Sequence, residues 1–64
     1  MKTYTVYYST GITWTTKSKS IRGAKIIASK YFSYQCQLNK DTVEIYLDGI
    51  LISSKTGFER WINH

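Results

Sequence analysis

The dipeptide Asp48-Gly49 lies between the runs Thr42 to Leu47 and Ile50 to Ser54, and no other part of the chain constrains the fold as strongly. In the first run Val43, Ile45 and Leu47 alternate with Thr42, Glu44 and Tyr46, the period of a strand with one buried face. Asp-Gly tolerates the two positive φ angles of a type I′ turn, whose twist suits paired strands. Such a turn sets Leu47 opposite Ile50, Ile45 opposite Ile52 and Val43 opposite Ser54, so turn geometry and burial ask for one register.

A second hairpin is legible at the start of the chain. Tyr4, Val6 and Tyr8 alternate with Thr3, Thr5 and Tyr7, and Ile12, Trp14 and Thr16 alternate with Thr13, Thr15 and Lys17. A loop Ser9-Thr10-Gly11, with Gly11 in the left-handed region, pairs Tyr8 with Ile12, Val6 with Trp14 and Tyr4 with Thr16. The threonines, Tyr7 and Lys17 then share the wet side of a one-sided antiparallel sheet.

Between the hairpins the spacing predicts a helix, capped by Ser18 or Ser20 and running to about Phe32. At about 100° per residue, Ile21, Ala24, Ile27, Ala28, Tyr31 and Phe32 form one apolar arc, and the two alanines let the helix axis approach the sheet closely. Gly23 costs this helix about 1 kcal/mol relative to alanine, and the sequence supplies no reason for it. Tyr34 to Leu38 reads as a short strand and Asn39-Lys40-Asp41 as a turn. Phe58, Trp61 and Ile62 stand at helical spacing, which predicts a final helical turn docking two large rings. The expected fold is α+β: a single domain over residues 1–64, an antiparallel sheet packed on one helix, in the order ββα(β)ββ.

A chain of 64 residues leaves much of its surface wet and offers no room for a deep pocket. Cys36 is the single cysteine and His64 the single histidine, so an intrachain disulfide is excluded and neither a metal site nor a bound cofactor is expected. The lone cysteine, with no signal-like run at the start, points to the cytoplasm, and the apolar stretches are far shorter than the roughly 20 residues a membrane span needs. No membrane and no small-molecule substrate are expected.

Acid–base catalysis needs a poised histidine or carboxylate beside a partner in a water-limited cleft. Asp41, Glu44, Asp48 and Glu59 are accounted for by turns and exposed surfaces, Cys36 has no histidine near it in sequence, and the chain reads as a non-catalytic binding module. Its charge supports this. From Met1 to Lys40 there are seven lysines and arginines and no acid, whereas all four acids lie from Asp41 to Glu59. Lys17, Lys19, Arg22, Lys25 and Lys30 lead into or project from the one helix, and together they suit a phosphate backbone. Tyr7, with Tyr46, offers a ring for stacking on unpaired bases. Ile26 is the one apolar residue on the outer arc of the helix, and its basic rim suits an acidic partner.

The run Ser20-Ile21-Arg22-Gly23-Ala24-Lys25-Ile26-Ile27-Ala28, set between a tyrosine-rich hairpin and a hairpin ending near a tryptophan, resembles short proteins of bacteriophages and prophages. In layout the chain is also similar to small phage proteins that bind and inhibit host enzymes or defence complexes. The resemblance assigns no site residue; it implies action in a host cytoplasm. Two partners are therefore expected from this surface: nucleic acid first, an acidic host protein as the alternative. Self-pairing through Lys2 to Ser9, if that strand lies at a sheet edge, leaves the oligomeric state open.

Overall fold

A computed structural model describes residues 1–35, 41–57 and 59–64, with the side chains of all but 32–35. Strands β1 (Lys2–Tyr8) and β2 (Thr13–Ser18) precede helix α1 (Ile21–Gln35), and β3 (Thr42–Leu47), β4 (Ile50–Thr56) and β5 (Ile62–Asn63) follow it. The strands make one antiparallel sheet in the order β2-β1-β3-β4-β5, and α1 packs on one face, an α+β arrangement. Since β1 is antiparallel to both neighbours, β2 and β3 run parallel on either side of it, joined through the helix as a split β-α-β unit.

The first hairpin has the expected register, with Val6 opposite Trp14 and Tyr4 opposite Thr16. Gly11 has φ 101°, and the Tyr8 N–H donates to Ile12 O at 2.9 Å to close the loop. This hairpin is an edge only on its β2 side: β1, expected as a candidate edge, is paired on both flanks. The type I′ turn is also present, with φ 53° at Asp48 and 79° at Gly49.

Beyond Tyr46 and Leu51 the expected register of the second hairpin fails. A bulge at Ile52 shifts the ladder, so Ile45 faces Ser53 and not Ile52, and Val43 faces Lys55 and not Ser54. An extra residue in one strand of an antiparallel pair returns the next side chain to the face its neighbour would have held. Ser53 is thereby turned into the core, fully buried.

Tyr4, Val6 and Tyr8 of β1, Val43 and Ile45 of β3, and Ala24 and Ala28 of α1 form the core, with Trp14, Ile21, Leu47, Ile52 and Trp61 packed around it. The alanines bring α1 close enough for the Tyr8 hydroxyl to donate to Ala28 O at 2.9 Å, a buried bond contributing about 1 kcal/mol. Tyr31, expected inside, is 49% exposed; it lies at the margin, its ring 5.4 Å from that of Trp14. Helix α1 runs to Gln35, so Tyr34 and Gln35 are helical and not the start of a strand. The rest of that expected strand and the turn at Asn39 and Lys40 lie outside the described residues, as do Phe58 and the Phe32 side chain.

The chain after Lys55 also departs from expectation. Gly57 turns with φ 55°, and Ile62–Asn63 pairs with β4 as a fifth strand where a helical turn was expected. Strand alternation separates Trp61 from Ile62: Trp61 packs against the core, while Ile62 is 58% exposed. Among the described residues no helix is long and apolar enough to cross a membrane.

Candidate functional site

Helix α1 begins where β2 ends. The Ser20 carbonyl accepts the Ala24 N–H at 3.5 Å, and Ser18 Oγ accepts the Ser20 N–H at 3.4 Å, so both serines expected at the cap take part in the start of the helix. With Ala24 and Ala28 held against the sheet, the helical period turns Arg22, Ile26 and Lys30 to the outside. Lys25 and Ser29 lie on the flank nearest the C-terminal segment. There the Lys25 ammonium donates to Asn63 Oδ1 at 2.7 Å, and the Trp61 indole N–H donates to Ser29 Oγ at 3.1 Å.

These contacts form a shallow groove of about 440 Å³ between α1 and the C-terminal segment, lined by Arg22, Lys25, Ile26, Ser29 and Trp61. Ile26 is 60% exposed, so the C-terminal segment stands beside it and leaves it open. Beneath the groove Ser53 Oγ donates to Ile62 O at 2.9 Å and lies 3.5 Å from Asn63 Oδ1, which holds β5 in place. The structure thus brings together three of the expected site residues, Arg22, Lys25 and Ile26, and adds Ser29 and Trp61.

Lys19 is exposed in the bend before α1, and Lys30 is exposed one turn beyond Ile26, so both extend the basic face of the helix layer. Lys17 does not join it. On β2 the side chains of Trp14, Thr16 and Ser18 are the partly buried ones, and Lys17 alternates with them onto the opposite, uncovered face of the sheet, across from Thr3. Tyr7 is on that uncovered face too, 40% exposed and paired with Glu44. Glu44 accepts a hydrogen bond from the Tyr46 hydroxyl at 3.2 Å. Desolvation first, then the charge of Glu44 and this bond, push the Tyr46 phenol above its ordinary pKa. A carboxylate between Tyr7 and Tyr46 repels phosphate, so the two tyrosines do not extend the basic face.

One contact had no signal in the sequence. Ser54 Oγ and His64 Nε2 lie 2.7 Å apart on the uncovered face, ten residues apart in the chain, because β5 brings the C-terminus back along β4. His64 is exposed, and the groove lies on the other side of the sheet.

Apart from Lys17, the cations expected at the site share the helix layer. Helix α1 and the bend before it carry Lys19, Arg22, Lys25 and Lys30, and α1 contains no acidic residue. Glu44 is on the uncovered sheet face, Asp48 is at the tip of a hairpin, and Asp41 and Glu59 are in the chain flanking β3 and β5. Three of the cations surround the first turns of α1, the positive end of its dipole, where like charge is locally unfavourable. No protein-family model matches this chain, and no curated protein or solved structure matches it at a significant level.

Proposed function

We propose that this chain is a non-catalytic nucleic-acid-binding module that meets the phosphate backbone with Lys19, Arg22, Lys25 and Lys30. The observation that carries the reading is the concentration of cations at the positive end of an acid-free helix. Arg22 stands in the first turn, where a carboxylate would stabilise α1 by about 0.3–1 kcal/mol and a cation opposes it. A bound polyanion relieves that repulsion and releases counterions, so the local cost becomes affinity.

The experiment is binding of fluorescent single- and double-stranded DNA and RNA at low and near-physiological salt, beside the Arg22→Ala/Lys25→Ala/Lys30→Ala variant. Binding that persists near physiological salt in the native chain and is lost in the variant supports the module. Binding absent at low salt, or equal in the variant, contradicts it.

The exposure of Ile26 beside Trp61 favours a second reading, in which the chain acts as a phage-encoded inhibitor or adaptor docked on an acidic host protein. A centrally placed apolar anchor is worth well over 1 kcal/mol at a protein interface and little on a phosphate backbone. Ile26→Ser therefore weakens a protein complex by about tenfold or more and changes nucleic-acid affinity by less than about threefold.

A further inference from the structure

We infer that the groove between α1 and the C-terminal segment receives an unpaired base of single-stranded nucleic acid, stacked on Trp61, with Arg22 and Lys25 meeting the flanking phosphates. The inference rests on the nucleic-acid reading above and narrows it to single strands.

Trp61 is fixed before any ligand arrives. Its ring packs against the core, its indole N–H is bonded to Ser29 Oγ at 3.1 Å, and the strand that follows it is held by Ser53. A ring immobilised in this way loses little entropy when a base stacks on it. The groove is open and shallow, of about 440 Å³, which admits a planar base laid against the ring and does not enclose it. Its other walls suit a nucleotide: Ile26 gives apolar contact, Arg22 gives a planar cation able to grip a phosphate, and Lys25, with one donor on Asn63 Oδ1, has further donors to offer. Among the described residues no acidic side chain lines the groove. Bases within a duplex are already stacked on each other, so only an unpaired base can use the ring.

The test uses fluorescein-labelled oligothymidylate and a duplex of equal length, about 20 nucleotides, enough to span a site of roughly 4–16. Trp61→Leu lowers affinity for oligothymidylate by roughly 5- to 100-fold and for the duplex by less than about twofold, while Trp61→Phe retains most of the single-strand affinity. In a Trp14→Phe background the remaining emission comes from Trp61, and oligothymidylate quenches it whereas the duplex does not. This measurement decides the matter even if Trp61→Leu fails to fold. Equal losses on both strands, or Trp61 emission unchanged while oligothymidylate binds, overturn the stacking role and leave the nucleic-acid reading standing. Binding of neither probe by the native chain overturns both readings and turns attention to an acidic protein as the occupant.

Discussion

Gly23 is explained by a side chain five residues earlier. A Cβ at position 23 would run into Ser18 Oγ and come within 3.3 Å of Ser18 Cβ, so the start of α1 closes tightly against the end of β2. No periodicity in the sequence encodes a contact of this kind, and the helix pattern alone makes the glycine look gratuitous. Replacing Gly23 by alanine gains about 1 kcal/mol of helix propensity but displaces the Ser18 hydroxyl from the Ser20 N–H. Gly23→Ala is therefore expected to be near neutral in the native chain and to stabilise a Ser18→Ala background by about 1 kcal/mol more, read by urea denaturation. Additive effects in the double-mutant cycle would remove Ser18 as the cause. Tyr46 supports a second expectation at this scale. Its folded pKa is raised, so above the ordinary value of about 10 the folded chain retains a proton that the unfolded chain releases. The stability linked to this group is complete below pH about 10 and falls as the pH rises through the folded value. Comparing ultraviolet titrations of the native chain and Tyr46→Phe isolates the phenol, and Glu44→Gln should bring its midpoint part of the way down, the desolvation remaining. An unshifted midpoint in Glu44→Gln would show that Glu44 does not contribute.

The elements show where pattern is sufficient and where it fails. In β1 and β2 strict alternation and a three-residue loop with glycine in the positive-φ position leave one register, and that register is present. Across from β3, Ile50-Leu51-Ile52 is a continuous apolar run. A slip of one residue there leaves an apolar side chain on each face, so the bulge has no counter-signal in the hydropathy. At the C-terminus, Phe58, Trp61 and Ile62 match a helical period, but a fragment of this length is too short for period to separate helix from strand. What decides the matter is the unpaired edge of β4 and the Ser53 hydroxyl that the bulge turns toward Ile62. The groove was half legible for the same reason: Arg22, Lys25 and Ile26 share a helix, whereas Trp61 reaches them only once β5 is in the sheet. Ser53→Ala should cost about 1 kcal/mol and speed amide exchange at His64, whose N–H donates to Ile52 O at 3.0 Å, by roughly fivefold. Exchange at His64 unchanged in Ser53→Ala would mean that β5 is held by other contacts.

At the scale of the whole molecule, two layers carry two kinds of surface. The sheet presents an uncovered face of threonines and tyrosines around Glu44, with Lys17 toward its β2 edge, and the helix layer presents Lys19, Arg22, Lys25 and Lys30. The principal extents of 31 × 20 × 18 Å leave room for only a few phosphates along the helix layer, so each cation accounts for a large share of any affinity. Charge asymmetry along the sequence foretold the basic helix layer, but it grouped Lys17 with that layer by proximity in the chain, although strand alternation already set Lys17 beside the threonines on the other face of the sheet. The central claim is electrostatic, and the salt dependence of oligothymidylate binding tests it most directly. With about four phosphates neutralised on a single strand, log K against log salt should fall with a slope of about −2 to −3, and the Arg22→Ala/Lys25→Ala/Lys30→Ala variant should retain a slope of about −1 or shallower. The same slope in both proteins, or tight binding indifferent to salt, would contradict a phosphate-binding helix face.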